Sequence, residues 1–328
     1  MRMHTVYQLA LSTTMIIGVF LSGVCSLRVA TAATYYVATD GNDANHGTEE
    51  RPFQTIDKGL SVLGHGDTLY LREGIYYSIV VNIYHSFSSG TSWANPVTIA
   101  GYPGEAVTLL GGIALYVPDD TLQYVIFDNF TMDGAGIFVG GAGAQYIRFQ
   151  NSEVKNSPYS GVGGGAGASH IEFVNLRVHD NGGDRLGHGF YVAMPYTLID
   201  GCDIYNNGGY GIQIYDSACT TNDCADNTTI RNSQIHDNRG DGGVTLSYGS
   251  NIVFEHNFVY NHLNGVEVSY GNPNNTRIIG NTVYNNWGGI NISPSSRDAI
   301  VQDNHLSGNA GAITDYGVGT ILRDNRIE

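Results

Sequence analysis

One position recurs along the chain from Asn129 to its end. Asn129, Asn151, Asn175, Gly201, Asn232, His256, Gly280, Asp303 and Asp324 follow one another at steps of 21 to 31 residues. Two residues before each stand Phe127, Phe149, Phe173, Ile199, Ile230, Phe254, Ile278, Val301 and Leu322, all large and apolar. Three residues after come Met132, Val154, Val178, Ile204, Ile235, Val259, Val283, Leu306 and Ile327. Five after, the chain is Gly, Asn or Asp from Gly134 to Gly308, and a third apolar run follows: GIFV, GVGG, GFYV, GIQI, GVTL, GVEV, GINI. A fixed period of this length marks a repeat architecture, and it constrains the fold more than any other feature.

Three short alternating strands per repeat do not fit a hairpin sheet. They fit a solenoid in which each strand pairs in parallel with its counterpart one coil away, about 4.8 Å along the axis. We therefore expect an all-β parallel β-helix. Inward positions stack like on like, and Asn257, Asn281, Asn304 and Asn325 read as an amide ladder at a turn. Cys202 shares an inward row with Leu176 and Ser233 and reads as a small buried thiol. Leucine-rich and propeller repeats lack their consensus and their blade length here.

The first 33 residues read differently. Arg2, the apolar LALSTTMIIGVFLSGVCSL and the small-residue run Ala30-Thr31-Ala32-Ala33 form a signal-peptide pattern; a retained anchor is the rival reading. Cleavage there predicts a secreted or periplasmic protein with no membrane attachment. It deepens the formal charge of −15 to −17, because Arg2 and Arg28 leave and no acid does. Such a charge argues against nucleic acid, which needs a basic footprint. Export also makes a disulfide between Cys219 and Cys224 plausible, closing the loop CTTNDC; zinc lacks a second ligand pair. Residues 34–122 read as an N-terminal cap and irregular first coils, continuous in one domain with the repeats of 123–328. A helix is expected from about Phe53 to Leu63, with Ile56, Leu60 and Leu63 on one face, covering the open end of the solenoid.

The segment TYYVATDGNDANHGTEERPFQTIDKGLSVLGHGDTLYLREGIYY, together with PVTIAGYPGEAVTL at 96–109, resembles the start of secreted right-handed parallel β-helix proteins of the pectate lyase-like superfamily. That superfamily includes pectate, alginate and chondroitin lyases and uronan epimerases. The resemblance implies a right-handed solenoid over the whole mature chain and a polysaccharide as substrate or ligand. It does not choose a reaction, since function is grafted onto this fold.

Outward charges sort by a ladder rule, because opposite signs on neighbouring coils stabilise modestly. Asp200, Arg231 and Glu255 form one such row, Glu153, Arg177 and Asp203 another, and Arg148 faces Glu172. Lys155, His179, Tyr205, His236, Tyr260 and Tyr284 form an aromatic row, either a stacked surface ladder or a platform for sugar rings. Asp184, Arg185 and His188, in NGGDRLGHGFYV, have no ladder counterparts. They lie in an expanded coil beside the outward row Phe138, Gly163, Tyr191, Gln213, Thr245, Glu267 and Asn291, a candidate glycan groove followed by Tyr215 and Asp216.

For β-elimination from a uronic acid, Arg185 would neutralise the carboxylate, His188 would be the base, and Tyr191 or Tyr215 the acid. Asp184, Gln213, Asp216, Arg239 and Glu267 would bind substrate. Calcium is a conceivable cofactor, held by Asp180 and Asp184 or by Asp237 and Asp241. The sequence departs from characterised relatives: the mature chain holds only Lys58 and Lys155 as lysines, and the Asp-Pro-His-Asp signature of uronan epimerases is missing. A C5-epimerase, a glycoside hydrolase using Asp216 and Asp241, and a non-catalytic glycan-binding protein, in each case a monomer, stay open at this point.

Overall fold

The computed structural model describes residues 32–81, 87–165, 167–183, 186–215, 219, 223–240 and 242–328. The signal-peptide expectation therefore lies almost wholly outside the described residues.

Three parallel sheets of 12, 11 and 10 strands wrap a single core, and every strand pairs with its counterpart one coil away. In the first sheet Phe127, Phe149 and Phe173 are in register on successive strands. Their rings stack at 5.1 and 5.5 Å between centroids, each no more than 1% exposed. The second sheet aligns Met132, Val154 and Val178. The third aligns Ile137, Val162, Phe190 and Ile212. Alternation along each short strand sends one residue into this core and its neighbour out, as the period-2 reading requires.

The corners explain the recurring position. Every one of the nine residues from Asn129 to Asp324 is left-handed, with φ between 50° and 66°. The positions five residues later, Gly134 to Gly308, are left-handed too. Asn, Asp and Gly tolerate this region best, so their recurrence is a backbone requirement. A third left-handed column, five residues before the first, was not anticipated: Tyr124, Tyr146, His170 and Tyr196 lead it, before Asn227, Asn251 and Asn275. The ring stack from Tyr124 to Tyr196, with centroids 5.0, 4.4 and 4.4 Å apart, offsets the backbone cost. Both terms are on the order of 1 kcal/mol.

The expected amide ladder is present. Asn257, Asn281 and Asn304 each donate from Nδ2 to Oδ1 of the next asparagine, at 3.1, 3.0 and 2.9 Å. A second buried ladder runs through Asn181, Asn207, Asn238, His262, Asn286 and Asn309, and His262 interrupts its chemistry. Asn238 Nδ2 donates to His262 Nε2 at 3.2 Å, so the neutral ring carries its proton on Nδ1, a buried atom with no hydrogen-bond partner.

The helix is shorter than expected: it spans only Ile56–Leu60, with Thr55 capping it through Lys58 N. Ile56, Leu60 and Leu63 are nonetheless buried in the same core cluster as Val37 and Leu69. The charge ladders form as pairs, Arg231 to Asp200 at 2.7 Å, Arg148 to Glu172 at 2.6 Å and Arg177 to Glu153 at 3.3 Å. Cys202 is 2% exposed, and burial pushes its thiol up to about 12. Cys219 and Cys224 are joined in a disulfide.

Candidate functional site

Parallel pairing in the third sheet fixes its outward row. Phe138, Gly163, Tyr191 and Gln213 lie on successive strands, and Thr245, Glu267 and Asn291 continue it. The turn entering the strand Phe190–Val192 delivers His188 beside this row. Its backbone is held on both sides, by Ser160 Oγ accepting from His188 N at 3.1 Å and by Gly161 N donating to His188 O at 2.9 Å.

The imidazole is 5% exposed, and its Nδ1 accepts a hydrogen bond from Tyr210 N at 2.9 Å. A backbone amide only donates, so the neutral ring carries its proton on Nε2. That arrangement makes Nε2 a donor. It does not suit the proton-accepting role that the sequence suggested, because the one lone pair of the neutral ring is already engaged.

Around His188 the structure gathers aromatic rings. Tyr191 stacks on it at 5.4 Å, Tyr210 is 5.8 Å away, and Tyr215 lies 6.2 Å from Tyr191. Tyr248 and Tyr270 meet the Tyr215 ring edge to face at 5.2 and 5.8 Å. The Tyr210 hydroxyl donates to Glu267 Oε2 at 3.2 Å, reaching a strand two coils on. Burial, and then the Glu267 charge, raise the Tyr210 hydroxyl well above its ordinary value, so it stays protonated. The structure therefore brings together His188, Tyr191, Tyr215, Gln213 and Glu267.

Other expected site residues fall elsewhere. Asp184, Arg185, Asp216 and Asp241 lie outside the described residues. Arg239 is exposed on the turn before the strand Gly242–Leu246. Asp180 bonds His179 Nδ1 at 2.7 Å, and Asp237 bonds His236 Nδ1 at 2.7 Å and Asn261 at 2.9 Å. These two carboxylates occupy one corner column two coils apart, with Asn206 between them. Each expected calcium pair, Asp180 with Asp184 and Asp237 with Asp241, has one member outside the described residues. Among the described residues one grouping of three ligating side chains occurs, Cys219, Asp223 and Cys224, and its sulfurs are bonded to each other.

The aromatic row of the second sheet is a closed ladder. Successive rings from His179 to Tyr284 lie 4.6 to 5.1 Å apart and within 14° of parallel. Between His179 and Tyr284 every inner face is covered by the next ring, so the stack presents edges there.

Sequence reasoning missed Tyr210, Tyr248 and Tyr270. A signal was present for two of them, since LSYGS and VSYGN place Tyr-Gly directly after successive third-sheet strands. Leu263 and Trp287, 53% and 71% exposed, were also missed; they sit just before the third-sheet strands of consecutive coils, on the opposite border of the same face.

Residues 35–243 match the family described as a Pel9A-like, right-handed β-helix region, and residues 223–328 match a general right-handed β-helix region. The protein YwoF of Bacillus subtilis (strain 168), described as uncharacterized, is 27% identical over 302 residues, which cover 78% of this chain and 63% of YwoF. Pectate lyase PEL9 of Emericella nidulans is 34% identical over 130 residues, covering 39% of this chain and 29% of PEL9. The chain thus spans less than two thirds of the length of either relative. Among solved structures, XylC with xylose superposes with a TM-score of 0.59 at 13% identity, covering 89% of this chain and 70% of XylC. Pectate lyase Pel9A does so with 0.53 at 16% identity, covering 88% and 79%. At these identities the superpositions speak for the fold. The family match, which spans well over half of the chain, together with the three-sheet solenoid, makes this protein a member of the Pel9A-like right-handed β-helix family.

Proposed function

We propose that this protein is a polysaccharide-active enzyme that binds its substrate on the outer face of the third sheet and acts by lyase-type β-elimination or the related C5 epimerisation. The observation that carries the reading is the cluster of His188, Tyr191, Tyr210 and Tyr215 on that face, with Glu267 bonded to the Tyr210 hydroxyl. Aromatic rings around a few convergent polar groups are the common make-up of a small-molecule or sugar site. The likeness to PEL9, a pectate lyase, supports the same class for this chain.

In this reading Glu267 is the acceptor of the C5 proton, the hydroxyl of Tyr191 or Tyr215 protonates the leaving glycosidic oxygen, and the His188 Nε2–H, fixed as a donor by Tyr210 N, gives the substrate a hydrogen bond while keeping its proton. The electron pair left by the C5 proton forms the C4–C5 double bond as the C4–O bond breaks. Tyr191 and Tyr215 flank the sugar, Gln213 and Arg239 bind it, and Arg185 keeps the role of neutralising a uronate carboxylate. Hydrolysis needs a pair of carboxylates across the cleft, and Glu267 is the one acid in the outward row from Phe138 to Asn291.

The test is a screen of polysaccharides read by the ultraviolet absorbance of unsaturated ends, with Glu267→Gln and His188→Gln run beside the native chain. Each substitution is expected to lower turnover by on the order of 10²-fold or more. Full activity in Glu267→Gln ends the assignment of the base. Binding without any new unsaturated or reducing end moves the protein to the non-catalytic glycan-binding reading.

A further inference from the structure

The outward row does not begin at the aromatic cluster. It continues two coils toward the N-terminus, through Gly163 to Phe138, and then to Ala114 and Val80. This half of the face differs in chemistry: those four positions carry no ionisable group, and Phe138 and Tyr116 are 47% and 50% exposed.

Gly163 is the informative residue. Most glycines that open the third-sheet strands are required by the backbone. A Cβ at Gly136, Gly189 or Gly289 would lie 2.1, 2.5 or 2.2 Å from a carbonyl oxygen of the next coil. Gly163 is under no such constraint. A Cβ there meets nothing closer than Phe138 Cδ2 at 3.6 Å, ordinary contact, and its φ is not left-handed. Packing therefore does not explain why this outward position lacks a side chain. What the glycine permits is for the Phe138 ring to lie down over the sheet with one face outward, an arrangement that a branched side chain at 163 would disturb. Gly140 allows the same, since a Cβ there would come within 3.3 Å of Phe138 and 3.4 Å of Tyr116. Phe138 and Tyr191 are then two rings on one line, about 9.6 Å apart, two coil rises.

We infer that the face carries a second binding region, Tyr116–Phe138–Gly163, which takes the apolar face of uncharged sugar units, so that the ligand runs along the solenoid axis and is a mixed glycan in which uncharged units accompany the uronate, not an unbroken polyuronate. An exposed aromatic ring desolvates the C–H face of a pyranose with little entropic cost. A row of uronate carboxylates laid over the same positions would find no cation among them, on a chain of formal charge −15. The inference rests on the reading of the third-sheet face as the glycan site.

Calorimetry with the full chain tests it, using neutral β-1,4-linked hexasaccharides of xylose, glucose, mannose and galactose, rhamnogalacturonan oligosaccharides, and oligogalacturonate of equal length. The expected result is that the mixed rhamnogalacturonan chain binds most tightly. Gly163→Val and Phe138→Ala should each weaken that binding about tenfold or more, while Gly163→Val melts with the native protein. Tighter binding of oligogalacturonate, or of a wholly neutral chain, than of the mixed chain overturns the ligand class. Equal affinity of native protein and Gly163→Val for their best ligand overturns the second region. No signal from any glycan overturns the glycan reading itself, and this inference with it.

Discussion

His262 occupies a position in the second amide ladder that asparagine fills on both sides, and this predicts a specific dependence of stability on pH. The ring is 6% exposed, and burial lowers its pKa from the ordinary 6.5 to about 4, with Asn286 and Asp237 pulling weakly the other way. The folded chain therefore resists protonation that the unfolded chain accepts. Stability from this group is fully present above about pH 6.5, falls as pH drops through that value, and is lost by about pH 4. A difference of about 2.5 pKa units at 1.36 kcal/mol each amounts to about 3 kcal/mol. His262→Asn removes the titration and restores the ladder. The new Oδ1 can accept from Asn238 Nδ2, and the unpartnered Nδ1–H disappears, which offsets the smaller side chain by about 1–3 kcal/mol. Urea unfolding of both proteins from pH 7 to pH 4 measures the effect. Carboxylates and His236 titrate in both and cancel in the difference, so the native curve should lose about 3 kcal/mol more than the variant across that window. Parallel curves would refute the account of His262.

Three further predictions concern stability and assembly. Phe149→Ala removes the middle ring of the core stack and should cost about 3–5 kcal/mol in denaturant unfolding; a loss below 1 kcal/mol would show that the core collapses around the gap. Alkylation before and after reduction, read by intact mass, should find Cys219 and Cys224 blocked only in the unreduced protein, with reduction lowering stability by about 2 kcal/mol. Asn175→Val forces a β-branched residue to φ near 53° and breaks its bond to Asn151, so its melting midpoint should fall by the equivalent of about 2 kcal/mol, while Asn175→Gly should lose less.

The core was legible because stacking like on like writes the same residue class at the same place in every coil. Two corners were legible for the same reason, since asparagine, aspartate and glycine mark a left-handed backbone. The third corner was hidden by Tyr124, Tyr146, His170 and Tyr196, whose tolerance of that backbone comes from stacking between coils, a contact no single repeat reveals. Asp180 and Asp237 each bond a histidine of the adjoining strand, His179 and His236, a pairing between sequence neighbours that the ladder reading passed over. For the candidate site, the rows were readable and the proton positions were not: the donor state of His188 depends on one backbone amide, Tyr210 N, from the next coil.

The direction of pairing has a mechanical consequence. All three sheets hydrogen-bond from coil to coil, so every interstrand bond lies along the solenoid axis. A pull on the two ends loads only the bonds between one outermost coil and the next, and separates them in sequence at low force, like a zipper. A load across the axis is carried instead by the covalent backbone of each coil. A solenoid of this kind should be stiff toward anything that presses on its side and compliant toward anything that peels one coil from the next along the axis.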